Sequence, residues 1–291
     1  MKKHQFLFGC NCFGAVDPQT YRVNDEYTRR FTRLFNYATF AVLLVVLRAG
    51  ARKHAARIPR PARAVVRGQR SRGERSPFGL GPHLPEMDDR RAYNEVFTYL
   101  KDHGVEIQAF GVQSHLHSTR WTFDQAWSVC EDFSRYGWPL HFTELSVLSG
   151  KPAREIDWFD SSKNQWISTD DDATEQANYV RDFYTLLFSH PAVEAISWWD
   201  MADGQWLNAP SGLVYEDLSP KPAFDTLTEL VKKDWWTDAT GVTDDTGSLS
   251  TRGFCGRYVV TAESNGKEVS IETDLFRDRQ VHRDHEVVIR V

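Results

Sequence analysis

The chain is poor in cysteine, has no long apolar run, and over one whole stretch has no aromatic residue. Its four cysteines, Cys10, Cys12, Cys130 and Cys255, are too few and too scattered for a disulfide framework, and no metal-ligand spacing occurs among them. The apolar run Phe40 to Leu47 is eight residues long, far below the ~20 needed to cross a bilayer. The chain therefore reads as soluble, with no membrane partner. The opening MKKHQFLFGCNCFG is basic like a signal peptide, but Asn11 breaks its apolar run early, so no signal peptide is expected and the compartment stays unassigned. Between Ala41 and Ser76 there is no Phe, Tyr or Trp, although the whole chain is 13% aromatic, and all ten tryptophans lie at or beyond Trp121. Acid is scarce in the same region. Arg48 to Arg75 holds ten Lys or Arg residues and one acid, Glu74, so it carries +9 inside a chain of net charge -5.

What remains is the composition of an ordinary globular protein. With 291 residues and 41% apolar content the chain can bury a large core. That length fits two domains of roughly 100 to 200 residues, or one α/β barrel. From residue 90 onward the periodicity alternates. Tyr93, Val96, Phe97 and Leu100 share a helical face, and Val105 to Gln113 reads as a strand. Thr122 with Gln125 forms a capping box ahead of a helix through Phe133, and Trp138 to Val147 is a second strand. Asp172 with Glu175 is expected to open a helix whose buried stripe is Ala177, Val180, Tyr184, Leu187 and Phe188. Val193 to Trp199 reads as a third strand and Pro222 to Val231 as a further helix. Strands alternating with helices at this pitch predict βαβ units in a parallel sheet or barrel.

The polar residues gather where these strands finish: Gln113-Ser114-His115, then Thr143-Glu144, then Trp198-Trp199-Asp200 with Trp206 close behind. In a (β/α)8 barrel the C-terminal strand ends surround the active site. Carboxylates beside aromatic platforms suit a sugar, whose ring faces stack on Trp while its hydroxyls hydrogen-bond. Taken singly, a Glu ending a strand is most often a solvated residue or a cap, and a lone His is most often structural. Their joint occurrence at equivalent places in consecutive units is what raises them to site candidates. Trp198 and Trp199 are adjacent, so only one of them can line the barrel mouth.

The runs GVEIQAFGVQSHLH, GWPLHFTELSVLSG and QANYVRDFYTLLFSHPAVEAISWWDMADGQWLNAPSGLVYEDLSPKPAFDTL resemble the second half of the glycoside hydrolase family 10 catalytic domain, the endo-β-1,4-xylanases. FGCNCFGAV and LFNYAT resemble that family's first two strands. The resemblance implies a (β/α)8 TIM barrel acting on xylan or a related β-1,4-linked polysaccharide by a retaining mechanism, as a monomer without cofactor or metal, in a family that is usually secreted. It makes Glu144 of FTELS the nucleophile and His115 of QSH the side chain that hydrogen-bonds and orients it. Gln113 would face the active site, and Trp199 and Trp206 would wall the sugar subsites. At Ser146 many members have Asp, which removes a carboxylate that would support His115.

The family's strand-four W-D-V-V-N-E type motif, which holds the general acid, does not occur, and neither does the strand-three G-H-x-L-x-W motif. A retaining reaction needs that second carboxylate about 5 to 5.5 Å from the first. Glu95 of Asn94-Glu95 is a superficial substitute only, since it stands 18 residues before Gln113 inside a helical pattern. The missing motifs would fall where family character lapses, from Ala41 to near Met87. Such a lapse, biased to Arg, Ala, Gly and Pro, is what an out-of-frame reading of a GC-rich gene would produce. A basic arm for an interaction partner is the competing account, but it lacks the interleaved aromatics of a nucleic-acid surface, so no nucleic-acid partner is expected. The expected organisation is first barrel strands in 1–40, a basic segment without stable packing in 41–87, and the second barrel half in 88–237. A small β extension in 238–291 follows, with strands around Arg257 to Thr261 and Glu268 to Thr273. The barrel is therefore expected to be incomplete, with strands three to five missing or replaced. His282 and His285 read as solvated side chains rather than metal ligands.

Overall fold

The computed structural model describes residues 3–4, 6–11, 24–39, 87–104, 107, 109–116, 119–276 and 286–290. The basic segment lies outside them except for Met87, which opens a helix, and so do His282 and His285. The chain runs β1 (Lys3–His4), β2 (Leu7–Asn11), α1 (Asp25–Leu34), β3 (Tyr37–Thr39), α2 (Met87–Asp102) and β4 (Phe110–Leu116). It continues through α3 (Phe123–Ser134), β5 (Leu140–Val147), β6 (Lys151–Pro152), β7 (Trp166–Ile167), α4 (Asp170–Ser189), β8 (Val193–Trp198), α5 (Pro222–Glu229), β9 (Gly256–Ser264) and β10 (Lys267–Leu275).

The helices start where side-chain oxygens can satisfy their first N–H groups. Thr122 and Gln125 make the reciprocal capping box of α3, each accepting from the other's backbone. The start of α4 departs from expectation. Asp172 is the third helical residue, and Thr169 is the cap: its hydroxyl accepts the Asp172 N–H at 3.2 Å, and the Asp172 carboxylate accepts the Thr169 N–H at 2.9 Å. Three consecutive acids, Asp170 to Asp172, then sit against the positive end of the helix dipole. At the far end of the chain, α5 closes on a π turn, Leu230–Asp234, so the regular helix stops short of the expected Val231.

Strands β3, β2, β8, β5 and β4, in that order, form one parallel sheet. Strand β2 lies beside β8, with Leu7 opposite Ala195 and Cys10 opposite Trp198. An early strand thus meets a late one, as at the closing seam of a barrel. The expected incomplete (β/α)8 barrel is met in part: among the described residues there is a partial parallel sheet that does not close, ending at β3 on one side and β4 on the other. The segment that separates those two strands in sequence, 40–86, lies outside the described residues.

Where their side chains are described, the expected apolar stripes are the ones that pack. Phe97 of α2 meets Phe110 of β4 at 4.5 Å between ring centroids and Phe133 of α3 at 5.6 Å. Removing such a buried ring costs about 3–5 kcal/mol. Phe8 of β2 lies 5.6 Å from Trp235, which stacks in turn on Phe188 of α4 at 4.2 Å. The C-terminal hairpin is longer than its turn signals implied, pairing Lys267 with Ser264 through to Leu275 with Gly256. Its two-residue turn, Asn265-Gly266, has φ of 53° and 74°, the double left-handed geometry that matches strand twist. β1 adds to the other edge of β9, a pairing that nothing in the alternation of such a short strand foretold. Among the described residues no helix is long and apolar enough to cross a membrane.

Candidate functional site

The site is shaped by one extra residue in β5. Val112 of β4 pairs with Phe142, but the next residue, Gln113, pairs with Glu144. On the other side Phe142 pairs with Ile196 and Leu145 with Trp198, so β8 takes two steps where β5 takes three. Both neighbours register Thr143 as a bulge, and a bulge re-aims the side chains that follow it. Glu144 is thereby set opposite Gln113, and Ser146 opposite His115. β4 runs to Leu116, beyond the expected end at Gln113, because the ladder continues through His115 and Leu116 against Ser146 and Val147. The predicted tip residues of β4 and β5 consequently lie within their strands, whereas Trp199, Asp200 and Trp206 follow the end of β8.

His115 is buried and engages both neighbours on β5. Its Nε2 lies 3.2 Å from Glu144 Oε2 and its Nδ1 lies 2.8 Å from Ser146 Oγ. A carboxylate can only accept, so Nε2–H donates to Glu144, and the Ser146 hydroxyl, able to donate or accept, engages Nδ1. Serine at 146 therefore keeps a partner for His115 although it brings no charge. The imidazole is enclosed by indoles: Trp206 lies parallel to it, 5.3 Å away at 11°, and Trp199 meets it edge-on at 5.2 Å. Trp198 points the other way into the core, where its Nε1 donates to the Ser211 carbonyl at 3.2 Å.

Trp206 stands on the long connection from β8 to α5, and that connection is braced from inside. Lys221, wholly buried, donates from Nζ to Asp203 Oδ1 at 2.9 Å and to Ser149 Oγ at 2.7 Å. Asp203 also accepts the Gly212 N–H at 2.8 Å. Only glycine fits at 212, since a Cβ there would lie 2.4 Å from the Asp203 nitrogen. Burial pushes the Asp203 carboxyl up and the Lys221 ammonium down, each offset in part by the attraction of the other. Asp200, just after β8, is pushed up to about 8 by burial. Its Oδ2 has no hydrogen-bond partner among the described residues, which favours the protonated carboxyl.

The structure thus brings Glu144, His115, Gln113, Trp199 and Trp206 to one end of the parallel strands. Glu95 is not part of this group; it is exposed midway along α2. Lys221 and Asp203 were given no role by the sequence, although both stand inside the quoted run, because a buried lysine looks like any other lysine until its loop is closed over it. Among the described residues no three His, Cys, Asp or Glu side chains gather as metal ligands.

The sequence pattern of the family described as Glycosyl hydrolase family 10 matches residues 85–230, half of the chain. Over 181 residues the chain is 27% identical to endo-1,4-beta-xylanase 1 of Arabidopsis thaliana, covering 62% of this chain and 17% of that protein. It is 32% identical over 185 residues to the anti-sigma-I factor RsgI6 of Acetivibrio thermocellus, covering 63% and 21%. Each of these relatives is thus spanned over only about a fifth of its length. Xylanase B from Clostridium stercorarium F9 is similar in structure with a TM-score of 0.43 and 22% identity, over 50% of this chain and 44% of that one.

Proposed function

The chain belongs to glycosyl hydrolase family 10, and on that premise we propose that it acts on the β-1,4-xylosidic bonds of xylan by a retaining, double-displacement reaction. The observation that carries this reading is the Glu144–His115 pair on adjacent parallel strands, 3.2 Å apart and walled by Trp206 and Trp199. Glu144 is the nucleophile. With Oε2 held by His115, Oε1 attacks the anomeric carbon as the glycosidic C–O bond breaks and the leaving oxygen departs with a proton taken from water. A second water then hydrolyses the glycosyl–enzyme ester, releasing the sugar and restoring the carboxylate. Gln113, opposite Glu144 in the ladder, faces the same sugar. The two indoles stack on sugar ring faces. In this reading β2 and β3 are the first two strands of a (β/α)8 barrel, and β4, β5 and β8 are the sixth to eighth.

The general acid has no counterpart, because the sequence holds no strand-four motif of the family type. The same observation favours a second reading, in which the chain binds the polysaccharide without turning it over. Hydrolysis of an activated aryl xyloside, whose leaving group needs little protonation, separates the two. Turnover that disappears in Glu144→Ala supports the hydrolase. Binding of xylo-oligosaccharides with no turnover of the aryl xyloside supports the binding protein, and absence of both overturns the site. The nucleotide sequence coding for residues 41–87 tests the frame-shift account of the lost segment.

A further inference from the structure

The connection from β5 to α4 covers residues 148–169, far longer than the 2–6 residues usual between a strand and a helix of an α/β unit. It folds back on itself through the β6–β7 ribbon and carries three aromatic residues that the site described above does not use, Trp158, Phe159 and Trp166. Trp158 lies 6.5 Å from Trp206, at 64° between ring planes. Phe159, next to it, is 86% exposed. A large aromatic side chain so open to water is unremarkable when it is alone, but here it is the chain neighbour of Trp158, which itself packs near Trp206.

The backbone beneath these rings is tied down at several points. The Asp157 carboxylate accepts the N–H groups of Phe159 and Asp160, both at 2.9 Å. Asn164, which is buried, accepts the Asp157 N–H at 2.8 Å and donates from Nδ2 to the carbonyls of Asp157 and Leu207 at 3.1 and 3.2 Å. Trp166 Nε1 donates to the same Leu207 carbonyl at 3.1 Å. One amide side chain therefore joins the residue before Trp158 to the residue after Trp206. A frame of this kind fixes the spacing between two aromatic platforms.

We propose that Trp158 and Phe159 form a further sugar-stacking platform contiguous with Trp206. It takes a pyranose unit of the same β-1,4-linked chain, beyond the units held at Glu144, and Asn164 is the positioning residue that keeps the two platforms in register. This deepens the xylan reading and rests on it.

The test is calorimetric binding of xylobiose and xylohexaose to the full chain carrying Glu144→Gln, which holds the sugar uncleaved. Adding Trp158→Ala should weaken xylohexaose binding about five- to tenfold and leave xylobiose binding unchanged. Phe159→Ala should weaken xylohexaose binding by a smaller factor, and because that side chain is exposed, its effect cannot be ascribed to misfolding. Asn164→Ala should repeat the length-dependent loss seen with Trp158→Ala. Xylohexaose binding unaffected by Trp158→Ala and Phe159→Ala, or an equal loss for both sugars, would overturn the platform while leaving the Glu144 site standing. Failure of the chain to bind either sugar overturns the site and the platform together.

Discussion

His115 Nε2 and Glu144 Oε2 are 3.2 Å apart on neighbouring strands, and they meet because Thr143 inserts one residue into β5 between Phe142 and Glu144. The hydrogen bond is therefore a product of strand register as much as of side-chain chemistry.

Replacing His115 by Ala removes a hydrogen bond to a charged group, an interaction worth about 1.5–3 kcal/mol. Turnover of an activated aryl xyloside should fall roughly ten- to a hundredfold, with the far-ultraviolet circular dichroism retained. Ser146→Ala removes the hydroxyl that hydrogen-bonds His115 Nδ1 and should have a smaller effect, about two- to tenfold. If Ser146→Ala proves as damaging as His115→Ala, the hydroxyl does more than fix the ring.

Well-placed general acid catalysis contributes about 10²- to 10⁴-fold. Release of reducing sugar from unactivated xylan by the 291-residue chain should accordingly be very weak or absent beside turnover of the aryl xyloside. Brisk xylan hydrolysis would mean that some carboxylate occupies the acid position, and Glu95→Gln is the first variant to assay in that event.

Breaking a buried ion pair from one side leaves the other charge unpaired, typically at 3–5 kcal/mol. Lys221→Met should therefore lower the thermal midpoint markedly through the stranded Asp203. The double variant Lys221→Met with Asp203→Leu should recover part of that loss. A double variant no better than the single one would show that Gly212, which also leans on Asp203, is the more important partner.

Asp200 gives the stability a pH dependence of definite sign. Its carboxyl is pushed up to about 8 by burial, so the folded chain holds a proton that the unfolded chain has already released. The contribution is complete below the ordinary carboxylate range and is lost as pH rises through about 8. Between pH 5 and 8 the thermal midpoint of the wild type should fall relative to that of Asp200→Asn, whose amide mimics the protonated acid. Parallel curves for the two proteins across that window would refute the assignment.

Much of this arrangement was legible in the sequence wherever a local pattern decides the structure. The stripe through Tyr93 and Phe97, the Thr122–Gln125 box and the alternation of strand and helix each depend on residues a few positions apart. The opposed directions of Trp198 and Trp199 follow from strand alternation alone. The gathering of Glu144, His115, Gln113 and the two indoles was legible through family resemblance and the rule that strand ends carry the site. What escaped depends on distant partners. The Thr143 bulge exists only in relation to two neighbouring ladders, and Thr169 displaced Asp172 as a cap because either residue is chemically able to serve. Asn164 and Lys221 acquire their roles from carbonyls and carboxylates supplied by another loop.

The segment holding β1 and β2 joins two sheets at once, since Lys3 pairs with Arg257 while Leu7 pairs with Ala195. These partners are synthesised nearly two hundred residues or more after it. During translation one edge of β2 can pair early with β3, but its other edge, and β1, must wait until the strands holding Ala195 and Arg257 have been made. Pairings of such long sequence separation fold slowly and leave apolar surface open to association with other chains. Yield of soluble protein should therefore depend more on chaperone supply and growth temperature than on the final strength of the core.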